Sequence, residues 1–210
     1  MIYLIGIGDL GIPTEYIFTM IGAKTGADFI VNHDDYVSEE INKILKSVSE
    51  ESLKEISEKL GIPLEFAYTI WQMGNGARNV NEMPNRHKKY LVNFYGRSRV
   101  AHNPNYWINQ INEFVEKHKD KKIILINVKS AIEIRNIYTQ DTVLLRLIIT
   151  DGNYGHFDGE DYNYFEKNQA IYNEFRFFHS SDATLICNNL TLEETITKSV
   201  SLYSELRSLK

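Results

Sequence analysis

The chain opens on five apolar residues, Met1-Ile2-Tyr3-Leu4-Ile5, and runs straight into Gly6-Ile7-Gly8-Asp9-Leu10-Gly11-Ile12-Pro13-Thr14. No other segment constrains the fold as much. A continuous apolar run followed by glycines is the pattern of a buried strand ending in a tight turn. Proline suits the first turn of a following helix, where its missing N–H costs nothing. Strand, glycine turn and helix in immediate succession make the first unit of an α/β sheet. Gly6 and Gly11 stand five apart, as in the phosphate-cradling loop G-x-x-x-x-G-K-[ST]. Ile12 holds the lysine position of that loop, followed by Pro13 and Thr14. The stretch also reads G-x-G-x-x-G, a dinucleotide pattern that wants an acidic residue about 20 positions later at the end of a second strand. Asp34 and Asp35 are near that place. A plain strand-to-helix turn is the third reading.

Residues 15–21 continue the first helix, with Gly22 and Gly26 expected to end it. The apolar run at 123–128 and the β-rich stretches at 28–32, 142–149 and 183–187 read as four further strands. His33-Asp34-Asp35 reads as a turn, and Ser38 as the cap of a helix with Glu39 and Glu40 in its first turn. Ser49 opens another helix, closed by Gly61, and helical spacing recurs over 62–73, 88–95 and 105–119. Residues 38–99 therefore hold helices with no strand partner, an inserted helical lobe. A short helix fits 130–138, and the polar, glycine-rich and aromatic stretch 150–178 reads as a lid-like segment. Thr191-Leu192-Glu193-Glu194 is a capping box that opens a last helix. Five strands separated by helices give the α/β class: a mostly parallel five-stranded sheet flanked by helices, in a single domain of 210 residues.

Composition narrows the function classes. No apolar stretch approaches ~20 residues, so no membrane span is expected. No basic region precedes the opening apolar run, so no signal peptide is expected. A single cysteine, Cys187, excludes an internal disulfide, suits a reducing cytoplasm and reads as a small core residue. A net charge of -5 argues against a duplex-binding surface. The one dense basic cluster is Arg86-His87-Lys88-Lys89, with Arg97 and Arg99 following, which reads either as a solvated face or as a patch for phosphate oxygens. The lean towards Ile, Asn, Lys and Tyr points to an AT-rich genome such as those of large phages. The six histidines show no ligand spacing, and Asp151, Asp158, Glu160, Asp161 and Glu166 form a solvated acidic run or a divalent-cation site.

The order of these parts resembles the deoxynucleoside monophosphate kinases of tailed phages, within the P-loop nucleoside monophosphate kinases. Gly6, Gly11 and Thr14 match that group's G-x-x-x-x-G-K-D-T loop. Lys88-Lys89-Tyr90-Leu91-Val92-Asn93-Phe94-Tyr95-Gly96 and Asn105-Tyr106-Trp107 resemble its basic helix and the tyrosine-tryptophan pair that opens the next one. Ile126-Asn127-Val128-Lys129 with Glu133 resembles its central strand end, where aspartate-valine-arginine precedes a glutamate. Residues 183–194 match its last strand and helix start.

The resemblance implies a viral nucleotide-binding protein of the host cytoplasm. Gly6, Gly8, Gly11 and Thr14 would hold the cofactor, ATP with Mg where the protein is active. Arg86, Lys88, Lys89, Asn93, Arg99 and Trp107 would meet a deoxynucleoside monophosphate, with Tyr90, Tyr95 or Trp107 stacking on its base. Arg97 and Lys129 would be catalytic. Three charged positions differ together: Ile12 replaces lysine, Asn127 aspartate and Lys129 arginine. Losing one preorganised donor to a developing anion costs roughly 10²–10³ in rate. Lys24, about 15 Å away along a helix, is too far to substitute. Phosphoryl transfer is therefore expected to be weakened or lost. The alternative is a non-catalytic module binding a host protein, a partner subunit or a second copy of the chain. A third reading is another nucleotide-using enzyme with Asp9 or Glu133 as its carboxylate.

Overall fold

The structure, a computed structural model, describes residues 1–8, 11–128, 131–151, 153, 156–157 and 181–210. In chain order its elements are β1 (Ile2–Gly8), α1 (Thr14–Thr25), β2 (Phe29–Asn32), α2 (His33–Leu45), α3 (Glu50–Leu60), α4 (Leu64–Met73), α5 (Asn85–His102), α6 (Tyr106–Lys117), β3 (Ile123–Ile126), α7 (Ala131–Ile137), β4 (Val143–Ile148), β5 (Ala183–Ile186) and α8 (Leu192–Leu209), with a short 3-10 turn at Val80–Glu82. They form two compact units, Met1–Asn32 with Ile108–Lys210, and His33–Trp107. The helical unit thus extends beyond the expected 38–99 on both sides. Most of the expected lid-like segment lies outside the described residues.

The first unit is an α/β layer around a five-stranded sheet of order β2-β3-β1-β4-β5, parallel throughout. This all-parallel arrangement flanked by helices is consistent with a P-loop kinase-like fold. β1 is central, and Ile2 to Ile7 are all buried, which explains its unbroken apolar sequence. Leu4, Ile124, Ile126, Val143, Leu145 and Leu147 present one apolar face to Ile17, Phe18 and Ile21 of α1 and Ile196 of α8. Cys187 is part of this core, fully buried. α1 runs through Gly22 instead of ending there: the glycine lets the helix lie against Ala27, Ile30 and Ile124, each of which a Cβ would approach to 3.2–3.3 Å. The helix stops at Gly26, whose φ of 72° is open to glycine at no steric cost. At the start of α8, Thr191 Oγ1 accepts from the Glu194 amide at 3.2 Å and Glu194 Oε2 accepts from the Thr191 amide at 2.8 Å, the expected capping box. The Thr191 amide holds the Glu194 carboxyl below its ordinary pKa.

The second unit packs α2, α4 and α5 around Ile41, Ile44, Ile70, Leu91, Tyr95 and Trp107. His33-Asp34-Asp35 is no turn: α2 begins at His33, with Asp34 and Asp35 as its favourable first-turn acids, and Ser38 lies inside the helix. Ser49 does cap α3, in a reciprocal box with Ser52. α5 is longer than the periodicity suggested, 18 residues, and carries no acidic residue.

Candidate functional site

Parallel sheets bind ligands beyond the carboxyl ends of their strands, where connections diverge to either side. β1 ends there in the glycine turn. A dinucleotide frame sets β1 between its second and fourth strands. Here β1 lies between β3 and β4, and β2 ends in Asn32 with no acid at its tip. The dinucleotide reading of the turn therefore fails.

Each described residue of the turn has a local assignment. A Cβ on Gly6 would stand 2.4 Å from the ring of Phe18, so Gly6 is glycine because α1 crosses it closely. A Cβ on Gly8 would stand 2.1 Å from Thr14 Oγ1. Gly11 has a φ of 82°, a conformation that glycine adopts freely. Ile12 is 4% exposed and belongs to the sheet core, so it turns away from any ligand. Pro13 has no N–H. Thr14 donates its amide to the Ile12 carbonyl oxygen at 2.8 Å, and its hydroxyl donates to the same oxygen at 3.3 Å. The turn thus bends over its own carbonyl, and two of the donors that a phosphate would use there are missing or spent. The described turn residues include no Lys or Arg, and Lys24 sits exposed in the last turn of α1. These residues do not fit the magnesium complex of a triphosphate.

Beside the turn, a polar chain that sequence reasoning missed links three elements. Asn127 has a φ of 60° and donates its amide to the Gly6 carbonyl oxygen at 3.2 Å. Its Nδ2 donates to Asn32 Oδ1 at 3.0 Å, and Asn32 Nδ2 donates to Glu15 Oε2 at 3.2 Å. Asn32 is 7% exposed at the tip of β2, and Glu15 is exposed in the first turn of α1. A carboxylate therefore stands at the helix end where phosphate would bind. Its opposite charge to the helix N-terminus stabilises α1 and disfavours a second anion. The signal for this chain was weak: an asparagine closing a strand at the carboxyl edge.

The basic set divides between two faces of α5. Arg86, Asn93 and Arg97 are half-buried, spaced 7 and 4 apart on one face, with Lys89 beside them. Arg99 is on the opposite face with Val92 and Tyr95 and is 7% exposed. Its Nε lies 3.5 Å from Glu40 Oε2, its Nη2 donates to the Leu60 carbonyl oxygen at 2.8 Å, and its guanidinium carbon lies 3.7 Å from the centre of the Tyr106 ring. Tyr95 donates to Glu40 Oε2 at 2.9 Å and Tyr106 to Glu40 Oε1. Burial, with the Glu40 carboxylate adding to it, drives the Tyr95 hydroxyl pKa far above its ordinary value and raises that of Tyr106. Arg99 is thus a core counter-charge and no substrate ligand. Trp107 is fully buried and donates its indole N–H to the Gly96 carbonyl oxygen at 3.1 Å, and Tyr95 is also fully buried, so neither can stack on a base. Lys88 lies off the Arg86 face and donates to Asn81 Oδ1 at 2.5 Å.

Lys129, Asp9 and the acids 158, 160, 161 and 166 lie outside the described residues. Glu133 is fully buried in α7, which removes it as an accessible carboxylate. Among the described residues no cluster of three or more His, Cys, Asp or Glu is placed to hold a metal ion, and no helix is long and apolar enough to cross a membrane. Compared with protein-family models and with curated proteins, the chain matches none.

Proposed function

We propose that the chain is a viral nucleotide-binding protein on a deoxynucleoside monophosphate kinase-like frame, in which ATP-dependent phosphoryl transfer is weakened or lost. One observation carries this reading. The β1–α1 turn keeps the glycine outline of a phosphate loop, yet Ile12 has moved into the core and Thr14 is spent on Ile12's carbonyl oxygen. Phosphoryl transfer depends on positioning and on charge stabilisation of the transferred group. A turn with no cation among its described residues and a carboxylate at its helix end favours neither.

The test is ADP release with each of the four deoxynucleoside monophosphates as acceptor, run beside thermal unfolding with each nucleotide. The expected result is turnover at or near background together with a nucleotide-induced rise in melting temperature. A ligand at 100 times its Kd adds about 2.7 kcal/mol. Robust turnover would overturn the loss of transfer. No shift with any nucleotide would overturn nucleotide binding and leave the protein-partner module.

A further inference from the structure

We propose that the outer face of α4 docks a basic, arginine-bearing segment of a partner protein, with Tyr68 and Trp71 receiving its cationic side chains. The inference stands apart from the β1–α1 turn and from nucleotide binding. Single exposed aromatics are ordinary on a protein surface, whereas adjacent ones mark a place that another molecule covers. Tyr68 and Trp71 are 44% and 40% exposed and one helical turn apart, with ring centres 5.9 Å apart and planes 33° from parallel. Val48, 78% exposed, follows directly on Ser47, whose carbonyl oxygen accepts the Trp71 indole N–H at 3.1 Å. Three large exposed apolar side chains are thus gathered where the end of α4 touches the α2–α3 connection.

The indole is held in place. Its N–H is bonded, and Ala67 and Ile70 on the opposite side of α4 are fully buried in the core of the helical unit. A partner therefore meets an oriented ring with little side-chain freedom left to lose. The rim selects the partner's charge. Glu65 precedes Tyr68 by one turn, and Glu50 and Glu51 open α3 just beyond Val48. All three carboxylates are exposed, and among the described residues none is engaged in an ion pair, whereas Glu55 is committed to Lys59. Lys46 and Lys54 are the cations nearest along the chain, but residues 33–74 carry nine acids against four lysines and no arginine. The negative face of an aromatic ring attracts a cation, more often a guanidinium than an ammonium, and arginine sheds its water more readily than lysine. Carboxylates around such rings steer a basic segment onto them, and an acidic peptide, a nucleic acid or an anionic membrane would meet like charge there.

The test titrates the full chain with a short peptide of alternating arginine and glycine, beside its lysine and glutamate counterparts. Calorimetry reads the affinities, and the indole N–H signals in NMR read the place. The expected order is arginine above lysine above glutamate, with the Trp71 signal moving and that of fully buried Trp107 staying still. Tyr68→Ala and Trp71→Ala are each expected to weaken the arginine peptide about 2- to 30-fold, and Tyr68→Phe, which keeps the ring, to bind it at full strength. Glu65→Gln is expected to weaken it at low salt and to make little difference at high salt. The Trp107 signal reports whether each variant keeps the fold of this unit. An arginine peptide that does not bind, or binds no tighter than the glutamate peptide, would overturn the proposal. So would binding at full strength in both Tyr68→Ala and Trp71→Ala, which would place the peptide elsewhere. Self-association in sedimentation velocity that shifts the Trp71 signal and is relieved by Tyr68→Ala would overturn it in favour of a second copy of the chain.

Discussion

Replacing Glu40 by alanine is expected to destabilise the helical unit by about 3–5 kcal/mol, the cost of removing one partner of a buried ion pair. The geometry sets the size. The Glu40 and Arg99 side chains are 9% and 8% exposed, so neither is screened by much water. Glu40 accepts from the Tyr95 and Tyr106 hydroxyls and faces Arg99, so its loss orphans two hydroxyl donors and leaves a buried guanidinium without its counter-charge. Arg99 would keep the Leu60 carbonyl and the Tyr106 ring, which limits the damage to the lower part of what three independent losses would give. Both tryptophans of the chain, Trp71 and Trp107, belong to this unit, so indole emission in a urea titration reads its unfolding selectively. With an m-value of about 1–1.5 kcal/mol/M, the midpoint falls by about 2–5 M. Glu55→Ala, which breaks a solvent-exposed pair with Lys59, is the control and leaves the midpoint where it was. Glu40→Leu combined with Arg99→Met removes both charges and is expected to recover much of the loss. A drop below about 1 kcal/mol for Glu40→Ala would refute the claim that this cluster is a buried, mutually dependent charge network.

Three further outcomes are expected. Gly6→Ala drives a Cβ to 2.4 Å from the fully buried Phe18 ring and should cost about 1–3 kcal/mol in urea unfolding followed by circular dichroism, partly recovered by Phe18→Leu. Tyr95 and Tyr106 have hydroxyl pKa values raised in the folded state, chiefly by burial, so their contribution is complete below the unfolded value near 10 and is lost as pH rises through the folded values. Alkaline titration by tyrosinate absorbance should then show a late group that ionises together with the shift in Trp107 emission, and Tyr95→Phe should remove part of it. Glu15→Gln takes an anion from the start of α1 and should tighten binding of inorganic phosphate about two- to five-fold at low salt, with the gain shrinking at high salt. Unchanged binding by calorimetry would show that Glu15 does not face the phosphate position.

Residue pattern alone was enough for the sheet, because its central strands are buried on both faces and are therefore written almost entirely in apolar residues, the buried Arg146 of β4 being the charged exception. The last helix was legible for a different reason: its cap is a local bond between Thr191 and Glu194, three residues apart. The start of α2 was misread because aspartates serve both turns and the first turns of helices, and sequence does not say which. Arg99 was misread because its charge drew more weight than its phase. It shares the buried stripe of Val92 and Tyr95, and a basic residue on such a stripe calls for a buried acid. That acid, Glu40, comes from another helix, so no local pattern announces it. Trp107 follows the same rule, since a large aromatic at helical spacing belongs to the core before it belongs to a ligand.

The turn after β1 shows why a motif's outline and its chemistry separate. Gly6 is needed for the crossing of α1 over the sheet, and Gly11 for a backbone angle. Both demands belong to any tight strand–helix junction and would hold the glycines in place after phosphate binding had gone. The lysine of such a loop has no packing duty, whereas Ile12 is a core residue here. Thr14 lies between these cases. Its hydroxyl and amide both close onto the Ile12 carbonyl oxygen, a bond that a bound phosphate would have to break. Placing a lysine at position 12 alone should therefore fail to confer transfer. The side chain would have to leave the core, the carbonyl would still hold Thr14, and Glu15 would still stand at the helix end. If Ile12→Lys by itself gave ATP turnover, the turn would be far more mobile than its bonds imply, and the argument from its closed geometry would fall.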